Sequence, residues 1–528
     1  MMRSVTYLIL AAVIINLTAS CKKEKETGLD SNCVYTAAGR WMGNPYEIGN
    51  LSARTGMKVQ QASHLYVRVW ITESEAFREW EAIGDFLPFD RRYEPQANGF
   101  HRLESGKGQG LWLYGMVPAS AQLPGAYEVL EKCFLPEPGD AVWNVLLKEN
   151  NNPEARNGVP IKGKLTFFDP ISQQNMPLSG VKVIIQDGGR SLNAVTQEDG
   201  SFSNPNRIFA SQAEVLLRFE DAHMEIRTLD LDNLGGILTP NILSFGMINQ
   251  CAFENLQLEI GSKTTNATLQ ASAASWYVYN RFKEFATAKG YGIPPKKLNF
   301  WAARNAPIND SYSAPMLRHV GAQQGAKELL QQLFGLPPSI ANPLSTLIKN
   351  DLPDVYAPYY DVNTNRTPPG YIETLFHEFG HSTHYVKAGN SFWSKYIEHI
   401  FTNGGYGDGT QPLSGLVAMS ESWAEDFSLE VLTYFYGPEK YPPSLRDANT
   451  WSGYRWIPVG VYYDLHDDDG GAEAFDKVKG FSFKEMYDLF SPETDHPAKF
   501  RNLLMLTYPY KSSGQEADIE ALYQHYGW

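Results

Sequence analysis

The most chemically pointed feature of the sequence is His377-Glu378-Phe379-Gly380-His381, a glutamate directly after the first of two histidines four residues apart. On a helix, positions i and i+4 share one face, so both imidazoles can reach a single ion such as Zn²⁺ at about 2.0–2.1 Å. Glu378 then projects beside that face. Its carboxylate can take a proton from a water whose pKa the ion has lowered to about 7. Thr367 can cap such a helix and Pro368 fits its first turn, which predicts a helix over residues 371–386. Tyr371, Ile372, Leu375, Phe376 and Phe379 alternate with the histidines, so the ligand face is expected to look inward, and Gly380 leaves room for a second backbone. His384 continues the same face at i+7. It lies about 10.5 Å along the axis from His377, too far to converge on one ion, so a structural or pocket-lining role is expected for it.

A catalytic metal of this kind needs a third protein ligand and one open position. Ser420-Glu421-Ser422-Trp423-Ala424-Glu425-Asp426-Phe427 reads as a second helix with Glu421 and Glu425 at i, i+4, and small Ala418, Ala424 and Ser428 allow close packing. Spacing alone leaves Glu421, Glu425 and Asp408 open as ligands. Together, HExxH and the downstream SESWAED resemble the gluzincins, the zinc metallopeptidases that include thermolysin and the zinc aminopeptidases. The metzincin extension HExxHxxGxxH is lacking. The resemblance covers residues 262–528 and implies a zincin-like domain with one catalytic Zn²⁺. It makes Glu421 the third ligand and Glu425 the acidic residue that hydrogen-bonds a ligand histidine. The sequence departs from that pattern in the 39 residues between His381 and Glu421 and in Ser420, where asparagine is usual. The oxyanion partner is open among Tyr454, Arg455, Tyr463 and His466.

These residues must be positioned by a chain of 528 residues, long enough for roughly three or four domains. With 43% hydrophobic and 20% charged residues it is globular, not disordered or fibrous. A formal net charge of −14 argues against nucleic acid as a partner, since phosphate binding needs a cationic surface. The expected fold is α+β and multidomain. Residues 33–150 carry short β patterns around a helix, an N-terminal α+β module ending at the breaker cluster Asn150-Asn151-Asn152-Pro153. Residues 158–230 alternate as strands with an Asp-Gly turn. This run resembles the transthyretin-like β-sandwich attached to many carboxypeptidases, and the resemblance implies a spacer or docking module. From residue 262 the pattern turns helical, with strands near residues 298–302 and 354–360. The Gly-rich segment 402–409 lacks the lysine and serine of a phosphate loop and reads as a lid or substrate wall. Asp467-Asp468-Asp469 is a candidate Ca²⁺ loop, set against a solvated turn.

The N-terminus reads as an address. A positive start and a largely apolar run over residues 5–17 suit a signal peptide spanning residues 1–20. Small residues before Cys21 resemble a bacterial lipobox, although Thr18 stands where an aliphatic is usual. That resemblance implies lipidation of Cys21, a tether over residues 21–32, and a membrane contact made through lipid only. The expected location is the cell envelope, as an outer-membrane lipoprotein facing the periplasm or the surface. Cys33 and Cys133 flank the first module, where a disulfide between them competes with buried thiols. The expected activity is zinc-dependent hydrolysis of peptide bonds in proteins or peptides, with Glu378 as general base. The alternatives are an aminopeptidase of the same chemistry, for which Glu373 is the nearest candidate amine anchor, and a surface-binding lipoprotein that holds zinc without turnover.

Overall fold

The computed structural model describes residues 46–71, 74–84, 86–87, 111–136, 140–142, 158–187, 190–208, 210, 212–229, 241–261, 264, 266–294, 296–303, 316–320, 331, 351–358, 368–440, 456–466 and 475–528. Cys21, Cys33, Thr367, Tyr454, Arg455 and Asp467–Asp469 lie outside these. The architecture is mixed α+β, with several sheets followed by helices.

The N-terminal module begins with α1 (Ile48–Thr55) and continues through β1 (His64–Ile71), α2 (Ser74–Glu81), β2 (Phe86–Leu87), β3 (Leu111–Pro118) and β4 (Glu128–Cys133). Its antiparallel sheet runs β2-β3-β1-β4. Trp80 of α2 closes a small core with Val67, Val69, Ile71, Leu113 and Val117. Its neighbours on α2 are charged and turn elsewhere. Arg78 pairs with Glu220 at 2.5 Å and Glu225 at 2.6 Å, and Glu81 pairs with Arg218. Burial would strip Arg78 of its proton, yet the surrounding carboxylates hold its guanidinium pKa above the ordinary value. Cys133 is buried at the end of β4 and Cys251 is disulfide-bonded, while Cys33 lies outside the described residues.

The sandwich comprises β5 (Val159–Asp169), β6 (Gln174–Pro177), β7 (Lys182–Asp187), β8 (Arg190–Val195), β9 (Ser201–Ile208) and β10 (Gln212–Arg218). Alternation places Ile161, Leu165 and Phe167 of β5 inside, facing Val183, Ile185, Val215 and Leu217. The Asp-Gly turn before β9 requires its glycine. Gly200 sits at φ 79°, and a Cβ there would stand 2.4 Å from the carbonyl oxygen of Leu165.

The chain then leaves the sandwich before finishing it. β11 (Met224–Leu229) pairs in parallel with β14 (Leu298–Ala303), which pairs in parallel with β15 (Val355–Pro358). Between β11 and β14 the chain returns to the sandwich through β12 (Ile242–Asn249) and β13 (Leu256–Ile260), against β10 and β5. The sandwich strands therefore extend to Ile260, past the expected end at residue 230, and one strand between them belongs to the sheet of the helical domain. Arg227 on β11 locks that sheet by bonding Asp351 at 2.6 Å and Glu225 at 2.9 Å, all three buried.

Helix α3 (Ala267–Lys289) starts at Asn266, whose side chain caps Leu269 N, and stops at Gly290 in the left-handed conformation. The stripe of Trp276, Tyr279, Phe282 and Ala286 is buried, and so are Ala273, Tyr277, Val278 and Phe285 on the other sides of the helix. One side meets the sandwich, where Trp276 Nε1 donates to Ser179 O at 2.7 Å and Tyr277 donates to Asp169 at 3.1 Å. The other meets the helix that carries His377 and His381, with Phe282 stacked on Phe379 at 4.9 Å. A single apolar core consequently runs from Ile161 to Tyr526, shared by the sandwich strands and the helices.

Beyond α4 (Leu317–Val320) come the two long helices, α5 (Pro368–Asn403) and α6 (Ser414–Tyr436). The expected helix over 371–386 lies within α5, and the expected second helix within α6. Short helices α7 (Val461–His466), α8 (Phe483–Asp488), α9 (Pro497–Thr507), α10 (Pro509–Ser512) and α11 (Glu516–His525) complete the domain. Among the described residues, no helix is long and apolar enough to cross a membrane.

Candidate metal centre

Helices α5 and α6 approach closely because small residues meet between them. A Cβ on Gly380 would stand 2.9 Å from Ala424 Cα, 3.2 Å from its carbonyl oxygen and 3.2 Å from Phe427. Backbone cannot yield as a side-chain tip can, so the helices must part to admit a methyl group. Gly380→Ala is expected to cost about 1–3 kcal/mol by overpacking. Both a lower melting temperature and weaker metal binding should be seen. An unchanged metal affinity would mean that the interhelical distance does not set the site.

Close approach brings one carboxylate oxygen to both histidines. Glu421 Oε2 is 3.3 Å from His377 Nε2 and 3.4 Å from His381 Nε2. Ligand atoms of a tetrahedral ion with bonds of about 2.0–2.1 Å stand about 3.3–3.4 Å apart. The ligand atoms of His377, His381 and Glu421 all lie within 4.8 Å of one another, and all three residues are buried. This group could hold a metal ion, and the donor set of two neutral imidazoles and a carboxylate suits a divalent cation.

The remaining polar atoms of the ligands are also engaged. His377 Nδ1 meets Glu425 Oε2 at 3.1 Å, and His381 Nδ1 meets Ser420 Oγ at 2.9 Å. Each contact turns the Nε2 of its ring toward the shared position. The second oxygen of Glu421 accepts a hydrogen bond from the phenol of Tyr396. Glu378 is 3% exposed, and its Oε2 has no hydrogen-bond partner among the described residues. A buried carboxyl oxygen left without a partner is costly, and such exceptions mark functional positions.

The electrostatics of the metal-free site follow from this packing. Burial raises the pKa of Glu378 to about 8, with the charge of Glu421 adding to the effect. Burial also opposes ionisation of Glu421, but the facing imidazoles outweigh it and hold the carboxyl well below the usual range. Against burial, hydrogen bonds to Glu421 and Glu425 lift His377 to about 10. The histidine pair thus holds a proton on His377, where it neutralises carboxylate charge. Metal ligation requires that proton to leave.

His384 lies apart from the ligand group. It is fully buried in a box formed by Phe392, Trp393 and Phe490, where burial pushes its pKa down to about 3 and keeps it neutral. Asp408 is exposed and bonds Thr410 within its own loop, so it is not a ligand. Glu425 serves a ligand histidine. Glu373 is half-buried, and its carbonyl accepts from Ser428. Tyr463 packs on His466, whose Nε2 lies 3.5 Å from Glu430.

Sequence reasoning missed two residues. Ser420 appeared as a departure from a pattern, yet its hydroxyl orients His381. Tyr396 carried no signal, because it reaches the site only after a break in α5. The Gly-rich loop is an ordered connection. Gly404, Gly405, Gly407 and Gly409 all have positive φ, while Tyr406 packs on the core and its carbonyl accepts from His399. No protein-family model, no curated protein and no solved structure matches the chain.

Proposed function

We propose that this protein is a zinc-dependent peptidase that hydrolyses peptide bonds in proteins or peptides at the cell envelope, tethered by a lipid on Cys21. The observation that carries this reading is the spacing of Glu421 Oε2 from two histidine Nε2 atoms, with the unpartnered Oε2 of Glu378 beside them. His377, His381 and Glu421 would hold the zinc, with Glu425 and Ser420 fixing the rings. When bound, zinc supplies Lewis-acid polarisation and an acidified water. Glu378 accepts a proton from the attacking water at Oε2 and returns it to the leaving nitrogen. Nearby positive charge favours the ionised form of that carboxyl, lowering the pKa that burial raises and making it a working base near neutral pH.

An extended substrate requires backbone partners. Among the described residues β15 lies at one end of the sheet order β11-β14-β15, and a peptide strand could add at that edge. Val355, Tyr356 and Ala357 are buried along it, so backbone groups rather than side chains would supply the contact.

Mass spectrometry of a denatured protein mixture incubated with the purified chain tests the reading. Cleavage at internal bonds, lost on chelation and restored by zinc, is the expected result. Removal of terminal residues alone would make it an aminopeptidase. Absence of any cleavage with zinc fully loaded would sink the hydrolase reading and favour a zinc-holding binding protein.

A further inference from the structure

Every ligand of the metal centre has one polar atom facing the shared position and one facing away. For the two histidines, the outward atoms are held by Glu425 and Ser420, both on α6 and adjacent in space to Glu421. The outward oxygen of Glu421, itself on α6, finds its partner on α5. Tyr396 belongs to the second half of α5, beyond Gly389 at φ 67° and ψ −176°. That conformation is essentially reserved for glycine, and it lets the helix resume in a new direction. Trp393 and Tyr396 are thereby returned over the ligands that the first half carries. The Trp393 ring lies 5.9 Å from His381 and 5.0 Å from Tyr396.

The direction of the bond is fixed by chemistry. An ionised carboxylate has no hydrogen to give, so the phenol donates and Glu421 Oε1 accepts. A carboxylate can offer a metal either one oxygen or both. Here the two oxygens are divided, Oε1 toward the phenol and Oε2 toward both imidazoles. We propose that Tyr396 is a positioning residue of the metal centre: by holding Oε1 it makes Glu421 meet a bound ion through Oε2 alone, keeping one coordination position open for water or a substrate carbonyl. This rests on the metal-centre reading above and adds to it what keeps the shell from closing.

The test uses the full chain loaded with Co²⁺, whose visible absorption is strong in a tetrahedral shell and weak in a more crowded one. Tyr396→Phe is expected to weaken that absorption as Oε1 enters the shell, and to lower Co²⁺ and Zn²⁺ affinity about 10–100-fold. The matched control is Tyr526→Phe, which removes another phenol bound to a buried carboxylate, Asp464, away from the metal centre. It should lower the melting temperature and leave both metal readouts as in the wild type. Unchanged absorption and affinity in Tyr396→Phe would overturn the proposal while the centre stands. A wild type that takes up neither ion would instead overturn the metal-centre reading itself. Zinc-edge X-ray absorption of the wild type needs no folded variant. A shell with a single carboxylate oxygen is expected, and two carboxylate oxygens from Glu421 would overturn the proposal directly.

Discussion

Glu421→Ala should release the metal. The other two ligands share one turn of α5 and cannot by themselves surround an ion, and the lost group carries the only formal negative charge in the ligand set. Removing an outer-shell partner typically costs about 10–100-fold in metal affinity, so loss of a ligand is expected to exceed about 100-fold. Competition with a chromophoric chelator measures it. The variant should also be less stable without metal, because Glu421 is fully buried between His377, His381 and Tyr396. Breaking a buried charged pair from one side costs about 3–5 kcal/mol. Wild-type zinc affinity in this variant would remove Glu421 from the ligand set and bring Glu425 forward.

The second large effect separates binding from turnover. Glu378→Gln keeps the size and burial of the side chain but removes the basic carboxylate, and it touches no ligand hydrogen bond among those of His377, His381 and Glu421. Hydrolysis is expected to fall about 10²–10⁴-fold, the ordinary worth of a general base, with zinc content unchanged. Metal analysis on the same sample as the rate assay decides the matter. A rate within tenfold of wild type would show that another group moves the proton. Loss of zinc together with rate would show that Glu378 helps hold the ion.

The chemistry of this site was legible where it obeys helical periodicity. His377 and His381 at i, i+4 needed only a helix, and the helix needed only its apolar face and a place to start. Glu421 was reached by resemblance, since nothing in spacing separates it from Glu425 or Asp408. Burial does separate them: Glu421 is inaccessible, while Asp408 stands in an exposed loop. Tyr396 and Ser420 escaped for different reasons. Ser420 precedes a ligand on a packed helix, where its role depends on the angle between α5 and α6. Tyr396 depends on the turn that Gly389 makes, and Gly389-Asn390-Ser391 marks a break in the helix without announcing the direction in which the chain resumes. Strand β11 was hidden too, because parallel partners are chosen by tertiary contact and not by local pattern.

That strand also decides how the protein can be made and inherited. Met224 must find Leu298, and Leu256 must find Gly163, so each β layer closes only after part of the other has been synthesised. Pairings of such sequence separation fold slowly, and during that interval β11 is open to other chains. A gene fragment beginning after residue 262 would keep all the metal ligands yet start its sheet at β14, with one side bare. The half that carries His377, His381 and Glu421 is therefore expected not to fold when moved alone into another protein, and the smallest piece expected to fold includes the sandwich.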